Sequence, residues 1–264
     1  MRRNRLRELM DAGEPSFGTR IISQWPAMVE IAGLTGEIDY VEFVSEYGPY
    51  DLFSLENFAR AVDLFDNMSS MIKLDQEPRT YLAIRSLGAG IENLLYSDVR
   101  TVEEARLCVA AVRADAPGNN GLRGVGSTRD NEWGYSSGTV DYIQQQNNVV
   151  VAIMVEKKSL IEDLENVLAV DGIDMVQFGP SDYSMNTGNA EDRAAAEVKE
   201  AELYTIKTAL KMGVHPRAEL SKPEDAIPYL ELGVKHFNLG TELSVLRNYW
   251  SVGGKALRDI VEKG

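Results

Sequence analysis

The sequence predicts an α/β protein built as a TIM, or (β/α)8, barrel, and three observations carry that prediction. Short apolar runs alternate with longer amphipathic segments from one end of the chain to the other, the rhythm of βα units around a parallel sheet. Eight such units fit in 264 residues, and barrels of this type need about 250. Hydrophobic residues make up 44% of the chain, enough to bury a sizeable core and to exclude disorder as the main state. The whole span 1–264 reads as one domain without an interdomain linker, and a doubly wound open sheet is the alternative architecture.

The elements follow in order. The segment 2–13 is basic and amphipathic (Leu6, Leu9, Met10) and lacks the apolar centre and cleavage site of a secretory signal. Strands are expected at 17–22, 38–45, 70–74, 92–96, 149–155, 175–178, 214–218 and 236–239. Helical spacing of three and four joins Leu55, Phe58, Ala59 and Val62 after the second strand, and Val102, Ala105, Val109 and Val112 after the fourth. Cap signals stand at Ser54, Thr101, Ser159 and Ser221-Lys222-Pro223. The longest irregular stretch, 114–137, is rich in Gly, Asn, Ser and Asp. Long loops in compact domains are usually functional, so it is expected at the catalytic face. Its Trp133 and Tyr135 would close over a ligand or pack on a neighbouring subunit.

Charge and cysteine content narrow the function. With 27 basic against 41 acidic residues the net charge is −14, which repels nucleic acid and anionic membranes. Every apolar run is interrupted before the roughly 20 residues a membrane span needs. The single Cys108 can form neither an internal disulfide nor a thiolate metal site, and a cytoplasmic location is expected.

Barrel enzymes carry their chemistry at the C-terminal ends of strands. There the sequence offers Glu46 and Tyr47 after the second strand, Lys73 at the end of the third, Glu156 after the fifth, and Ser181 and Asp182 after the sixth. Glu156 and Asp182 follow neighbouring strands, so their carboxylates would meet at one mouth. Like charges that close require a cation or a shared proton, and Mg²⁺ or Mn²⁺ held by two carboxylates plus water and substrate oxygens meets the requirement. The alternative is that the two acids cap helices or face solvent. Arg20 in the first strand is a candidate clamp for a substrate carboxylate, and Arg217 and Glu219 could reach the mouth or form a helix-cap pair. Arg123 is expected to hold the long loop by hydrogen bonds, and Tyr204 to lie on the surface or in the core. The adjacent Lys157 and Lys158 suggest a solvated turn rather than a Schiff-base lysine. His215 and His236 begin their strands, on the face away from the chemistry, which suggests structural roles.

From Phe17 to about Leu246 the chain resembles the HpcH/HpaI aldolase and citrate lyase family, metal-dependent lyases on a modified TIM barrel. The matching stretches are Gly18 with Ala32-Gly33, Ile38-Asp39-Tyr40-Val41, Glu46, Thr101-Val102-Glu103-Glu104-Ala105-Arg106, Arg123-Gly124-Val125-Gly126, Asn147 and Glu156. The most specific is Val170-Asp171-Gly172-Ile173-Asp174 leading into Gly179-Pro180-Ser181-Asp182-Tyr183-Ser184. The resemblance implies that Glu156 and Asp182 are the metal pair. It also implies dimers that exchange their last helix and assemble into hexamers. The segment with Leu243, Leu246, Tyr249, Trp250, Val252, Leu257, Ile260 and Val261 is apolar enough for that exchange, or for closing its own barrel against the first and last strands.

The departures are chemical. Where the family has Asp-x-Glu-His after its second strand, this chain has Val44-Ser45-Glu46-Tyr47; the family Arg aligns with Lys73, and a Gln with Met154. A His near ~6.5 exchanges protons at neutral pH, whereas a Tyr near ~10 needs a cation beside it. Lys73 would supply that charge, without the bidentate fork of an Arg. The expected function is a divalent-metal-dependent carbon–carbon lyase acting on a 2-oxo acid or a related small acid through an enolate. In it Glu46 orients metal-bound water, Lys73 neutralises substrate charge, Tyr47 donates a proton, and Lys73, Ser181 and Arg20 bind substrate. The alternatives are another enolate reaction (decarboxylation, hydrolysis or isomerisation) on the same site, or a non-catalytic small-acid-binding relative.

Overall fold

Eight parallel strands close on themselves, because β1 (Ser16–Ile21) pairs on one side with β2 (Tyr40–Val44) and on the other with β8 (His236–Thr241). Between them run β3 (Ser69–Leu74), β4 (Asn93–Tyr96), β5 (Val151–Val155), β6 (Met175–Phe178) and β7 (His215–Leu220), each bonded to its sequence neighbours. The closure makes the chain a (β/α)8 barrel and excludes the open sheet. The computed structural model describes residues 3–190 and 192–263; Arg2, at the start of the basic N-terminal segment, lies outside them.

Helix α1 (Arg5–Asp11) precedes the barrel, and α2 (Pro26–Leu34), α3 (Leu52–Val62), α4 (Arg79–Ala89) and α5 (Val102–Val112) follow β1 to β4 in turn. α6 (Val140–Asn147) leads into β5, which is followed by α7 (Lys158–Glu162) and α8 (Leu164–Leu168). α9 (Pro180–Asn186) and α10 (Ala196–Met212) follow β6, α11 (Ile227–Leu232) follows β7, and α12 (Glu242–Lys263) follows β8. Thr101 caps α5 as its sequence suggests, accepting from the Glu104 N–H at 3.2 Å. The expected Ser54 cap is displaced: Asp51 is the cap of α3, and Ser54 returns a bond to it from the third helical position. Ser159 likewise falls inside α7, whose cap is Lys157.

Side chains alternate along each strand, so every second residue enters the barrel. Val41, Phe43, Ile72, Leu94, Ile153 and Val176 point outward and pack beneath the helices. Tyr40, Met71, Leu95, Ala152, Met154 and Met175 point inward and meet Leu6 and Met10 of α1, which plugs the N-terminal end. The plug is bonded to the starts of β3 and β4 through Leu6 N–H to Ser69 Oγ (3.2 Å) and Asn4 to Asn93 (2.7 Å). Gly18 makes the packing possible: a Cβ there would lie 2.3 Å from the Tyr40 ring.

Above this apolar floor the interior carries charge. Arg217 on β7 sits 2.5 Å from Glu42 on β2 and donates from Nε to Gln177 at 2.6 Å, all three side chains being buried. His215 and His236 stand at the strand starts, as expected, and hydrogen-bond to each other at 3.0 Å, with Ser16 2.9 Å from His236. Burial and the neighbouring His215 push His236 down to about 3, so the pair is neutral and structural.

One expectation fails here. The loop 114–137 lies at the N-terminal end of the barrel, not at the catalytic face, because it leaves α5 and leads to α6 and β5, and helices in this fold run against the strands. Arg129 pairs there with Asp63 at the end of α3, and Gln145 donates to the Asp130 carbonyl at 2.8 Å. Trp133 and Tyr135 are therefore exposed far from the mouth and cannot close over a ligand bound there. Arg123 does hold the loop, through a buried ion pair with Asp130. Of the two roles open to α12, closing its own barrel is confined to its first turn, where Glu242 accepts from the Ile22 and Ser23 N–H groups. None of its residues is buried, and Trp250, Leu257, Ile260 and Val261 are all exposed.

The buried pair makes a stability prediction. Removing one partner leaves an uncompensated interior charge, so Arg217→Met is expected to cost about 3–5 kcal/mol, and Glu42→Leu combined with it to recover most of that loss. Urea denaturation of the two variants checks this; equal destabilisation in the single and the double variant would refute it.

Candidate active site

Strands β2, β3, β5 and β6 and the turns after them bring the predicted residues to one mouth, with Arg20 of β1 beside them. Lys73 is the third inward residue of β3, after Ser69 and Met71, and its Nζ lies 2.6 Å from Glu46 and 5.5 Å from the centre of the Tyr47 ring. Burial works against the ammonium, but the Glu46 carboxylate more than offsets it, helped by Glu156 and Tyr47, and Lys73 is pushed up to about 12. Its charge is thus shared with Glu46 before any ligand arrives. Tyr47 is exposed at the rim.

Glu156 continues the inward face of β5 one step past Met154 and is buried. Burial raises its carboxyl above the usual range, and Lys73 and the Asp98 N–H oppose that rise. The Asp98 N–H donates to Oε1 at 2.6 Å. Gly179 ends the β6 strand beside it without a side chain, where a Cβ would lie 2.9 Å from Oε2. Asp182, in the first turn of α9, faces the same mouth and is near enough to Glu156 to raise its pKa further.

Lys157 is not solvated, contrary to the reading of its tandem with Lys158. Its Nζ is buried 3.0 Å from Asp98 Oδ1 and 3.8 Å from Asp182 Oδ1, whereas Lys158 is exposed. Arg20 points into the barrel and pairs with Glu219 at 2.6 Å, so Arg217 and Glu219 both face the interior and neither forms a helix-cap pair. Ser181 lies at the exposed rim. Arg20, Glu42, Lys73, Gln177, Ser181 and Asp182 line one cavity of about 280 Å³. Tyr204 stays on the surface of α10.

Sequence reasoning missed Asp98, Glu42 and Gln177. Asp98 had a signal, an acid directly after the apolar run of β4. Glu42 and Gln177 had only the alternation of their strands, which marks them as inward once the register is known.

The donor set suits a hard divalent cation. Glu156 and Asp182 are hard oxygen ligands; of the nearby lysines, Lys73 is engaged by Glu46, and Lys157 stands nearest Asp98 at 3.0 Å with Asp182 itself at 3.8 Å. The space beside Glu156 Oε2 is open for want of a Cβ on Gly179. Among the described residues no group of three or more His, Cys, Asp or Glu side chains converges, so two carboxylates would leave several positions for water and substrate.

A closed parallel barrel whose C-terminal mouth gathers buried carboxylates and lysines around a polar cavity is the architecture of an enzyme acting on small polar molecules. The chain belongs to the HpcH/HpaI aldolase/citrate lyase family, whose profile matches residues 53–248, and it is an enzyme of the aldolase type. It is 29% identical over 249 residues to a 5-keto-4-deoxy-D-glucarate aldolase of Klebsiella pneumoniae, covering 93% of each chain. It is 28% identical over 247 residues to a hydroxypyruvate/pyruvate aldolase of Delftia acidovorans, covering 92% of this chain and 88% of that one. A solved structure of an HpcH/HpaI family protein from Burkholderia cenocepacia superposes with a TM-score of 0.87 at 23% identity, covering 98% and 99% of the two chains, and shares the fold.

The state of Lys73 is testable. With its ammonium at about 12, only about one part in 10⁵ is free amine at pH 7, too little for Schiff-base chemistry. Borohydride added in the presence of pyruvate is expected to leave the protein's mass unchanged; a reduced pyruvyl adduct on Lys73 would contradict the geometry.

Proposed function

We propose that this protein is a divalent-metal-dependent lyase that breaks or forms the carbon–carbon bond between carbons 3 and 4 of a small 2-oxo acid. The observation that carries the reading is the Glu156–Asp182 carboxylate pair at the barrel mouth, with Lys73 held on Glu46 and Lys157 nearest Asp98. Mg²⁺ or Mn²⁺ bound there would supply Lewis-acid stabilisation of the negative charge that develops on the oxo-acid oxygens. Lys73, fixed by Glu46, sets a positive charge against the substrate carboxylate. Arg20 and Ser181 stand on the other walls of the same cavity and orient the rest of the molecule.

Cleavage of a 4-hydroxy-2-oxo acid requires a base to take the hydroxyl proton and an acid to return a proton to carbon 3 after the bond to carbon 4 has broken. Both histidines are at the far end of the barrel, so this proton traffic falls to Tyr47, whose ring lies 5.5 Å from the Lys73 ammonium, and to Glu46, which also orients water at the carboxylate pair. The tyrosine is a weaker proton carrier at neutral pH than a histidine, which favours slow aldol turnover. It also keeps open a second reading, a decarboxylation, hydrolysis or isomerisation through the same enolate. A cytoplasmic site of action agrees with the lone buried Cys108, and no described helix is long and apolar enough to cross a membrane. The acidic surface makes nucleic acid an unsuitable partner.

Protein stripped with a chelator is expected to be inactive toward a 4-hydroxy-2-oxo acid and to recover with Mn²⁺ or Mg²⁺, while Asp182→Ala recovers nothing. Turnover of the unmodified protein should fall below the typical ~10 s⁻¹ of enzymes, and Tyr47→His with Lys73→Arg should raise it. Full activity in excess chelator would refute the proposal.

The unpaired α12 supports a homo-oligomer built from dimers, with hexamers as a further step. Beside α12 an open groove is lined by Thr19, Met28, Ile31, Ala32 and Leu239, and a second copy's α12 would cover it with its own apolar face. Light scattering is expected to give at least twice the 29.3 kDa of one chain, and truncation after Leu246 to destabilise the assembly. A stable monomer at micromolar concentration would refute the exchange.

A further inference from the structure

Asp98 and Lys157 take no part in the chemistry above, yet both are buried against the carboxylate pair. Lys157 follows Glu156 directly, and its Nζ stands between two acids, 3.0 Å from Asp98 Oδ1 and 3.8 Å from Asp182 Oδ1. Asp98 has a cation of its own without it, because Arg100 donates from Nη2 to Oδ1 at 2.9 Å and from Nε to Oδ2 at 3.2 Å. Its backbone is in the left-handed region at φ 51°, which aims the N–H at Glu156 Oε1 (2.6 Å) and the carboxylate at Lys157. A non-glycine residue is uncommon there, and Asp and Asn tolerate it best.

We propose that Asp98 is a positioning residue that holds the Lys157 ammonium back from the Glu156–Asp182 pair, so that this built-in cation does not occupy the place of a divalent ion. The inference rests on reading that pair as the divalent-cation site. An ammonium released from Asp98 has Asp182 as its next acceptor, less than an ångström further away. There it would neutralise one of the two ligands and repel a doubly charged ion from the other. Charge of one sign at this range in a partly buried mouth is screened far less than at a free surface. The Asp98 carboxylate therefore controls cation binding without touching the cation, and it does so through a lysine.

The test is Mn²⁺ affinity of the full chain without substrate, read by the electron paramagnetic resonance signal of free Mn²⁺. Asp98→Asn keeps the backbone conformation and the N–H to Glu156 but releases Lys157, and Mn²⁺ binding is expected to weaken about tenfold. Lys157→Met removes the competing cation, Asp98 keeps Arg100, and binding is expected to tighten by a similar factor; Lys157→Gln should move the same way and serves if the Met variant folds poorly. The distinguishing measurement is the double variant: with no lysine to release, Asp98→Asn should cost little in the Lys157→Met background. An equal cost in both backgrounds would mean that Asp98 acts by its own charge or as a ligand, and would overturn the inference, as would weaker binding in Lys157→Met. A wild-type chain that binds no Mn²⁺ would overturn the underlying cation site as well, so the two failures are told apart.

Discussion

The carboxylate of Glu156 has to keep its charge where burial opposes it, and the mouth of the barrel is arranged around that requirement. Burial is the largest influence on its pKa, and Lys73 and the Asp98 N–H act against it. Each support constrains another element. The N–H is available because Asp98 accepts a left-handed backbone after β4. The room beside Oε2 is available because β6 ends in a glycine. The Lys73 charge is available because β3 points its third inward residue at the mouth and Glu46 keeps it protonated. A loss at any of these positions is felt first at Glu156, not where the substitution is made.

The same pairing rule runs down the barrel. Arg217 is matched by Glu42, Arg20 by Glu219, Lys73 by Glu46 and Lys157 by Asp98. The buried ones among them, Arg217–Glu42 and Lys157–Asp98, give little net stability, since desolvation consumes most of their attraction, but breaking one strands a charge in the interior. They therefore act on specificity of arrangement more than on the depth of the fold's energy minimum. Apolar packing supplies that depth, in the outer shell between strands and helices and in the floor closed by Leu6 and Met10.

The fold was legible in the sequence because a parallel barrel repeats one signal eight times, and errors of a residue or two in strand limits do not disturb the closure. All eight expected strands exist, β6 with the limits 175–178 that its apolar run indicated. The mouth was legible where chemistry follows directly on a strand end: Glu46, Tyr47, Lys73, Glu156 and Asp182 all gather there. Pairings across the barrel were not, since Glu42 and Arg217 lie 175 positions apart in the chain and only the closed register makes them partners. The 114–137 loop was misplaced because its length was weighed without its position. It precedes a strand, and connections that precede strands open at the N-terminal end. Lys157 was misread because a pair of adjacent lysines suggests solvent, yet at the boundary of strand and helix two neighbours point opposite ways, one buried and one exposed.

The departures from the family pattern are not a simple loss of polarity. Val44 and Met154, where the resemblance sets an Asp and a Gln, are inward and buried, so the top of the barrel is more apolar here than the family pattern implies. Two residues before Val44, on the same inward face and deeper, Glu42 carries a charge. Next to Met154 in the sheet stands Gln177, and next to that Arg217. Deeper in the barrel the Arg217 guanidinium engages both Glu42 and Gln177. The mouth holds the Glu156 and Asp182 carboxylates and a lysine already satisfied by Glu46, and beneath them lies a floor of closed ion pairs. Such a floor offers dipoles to hydroxyl and carbonyl groups but little uncompensated charge.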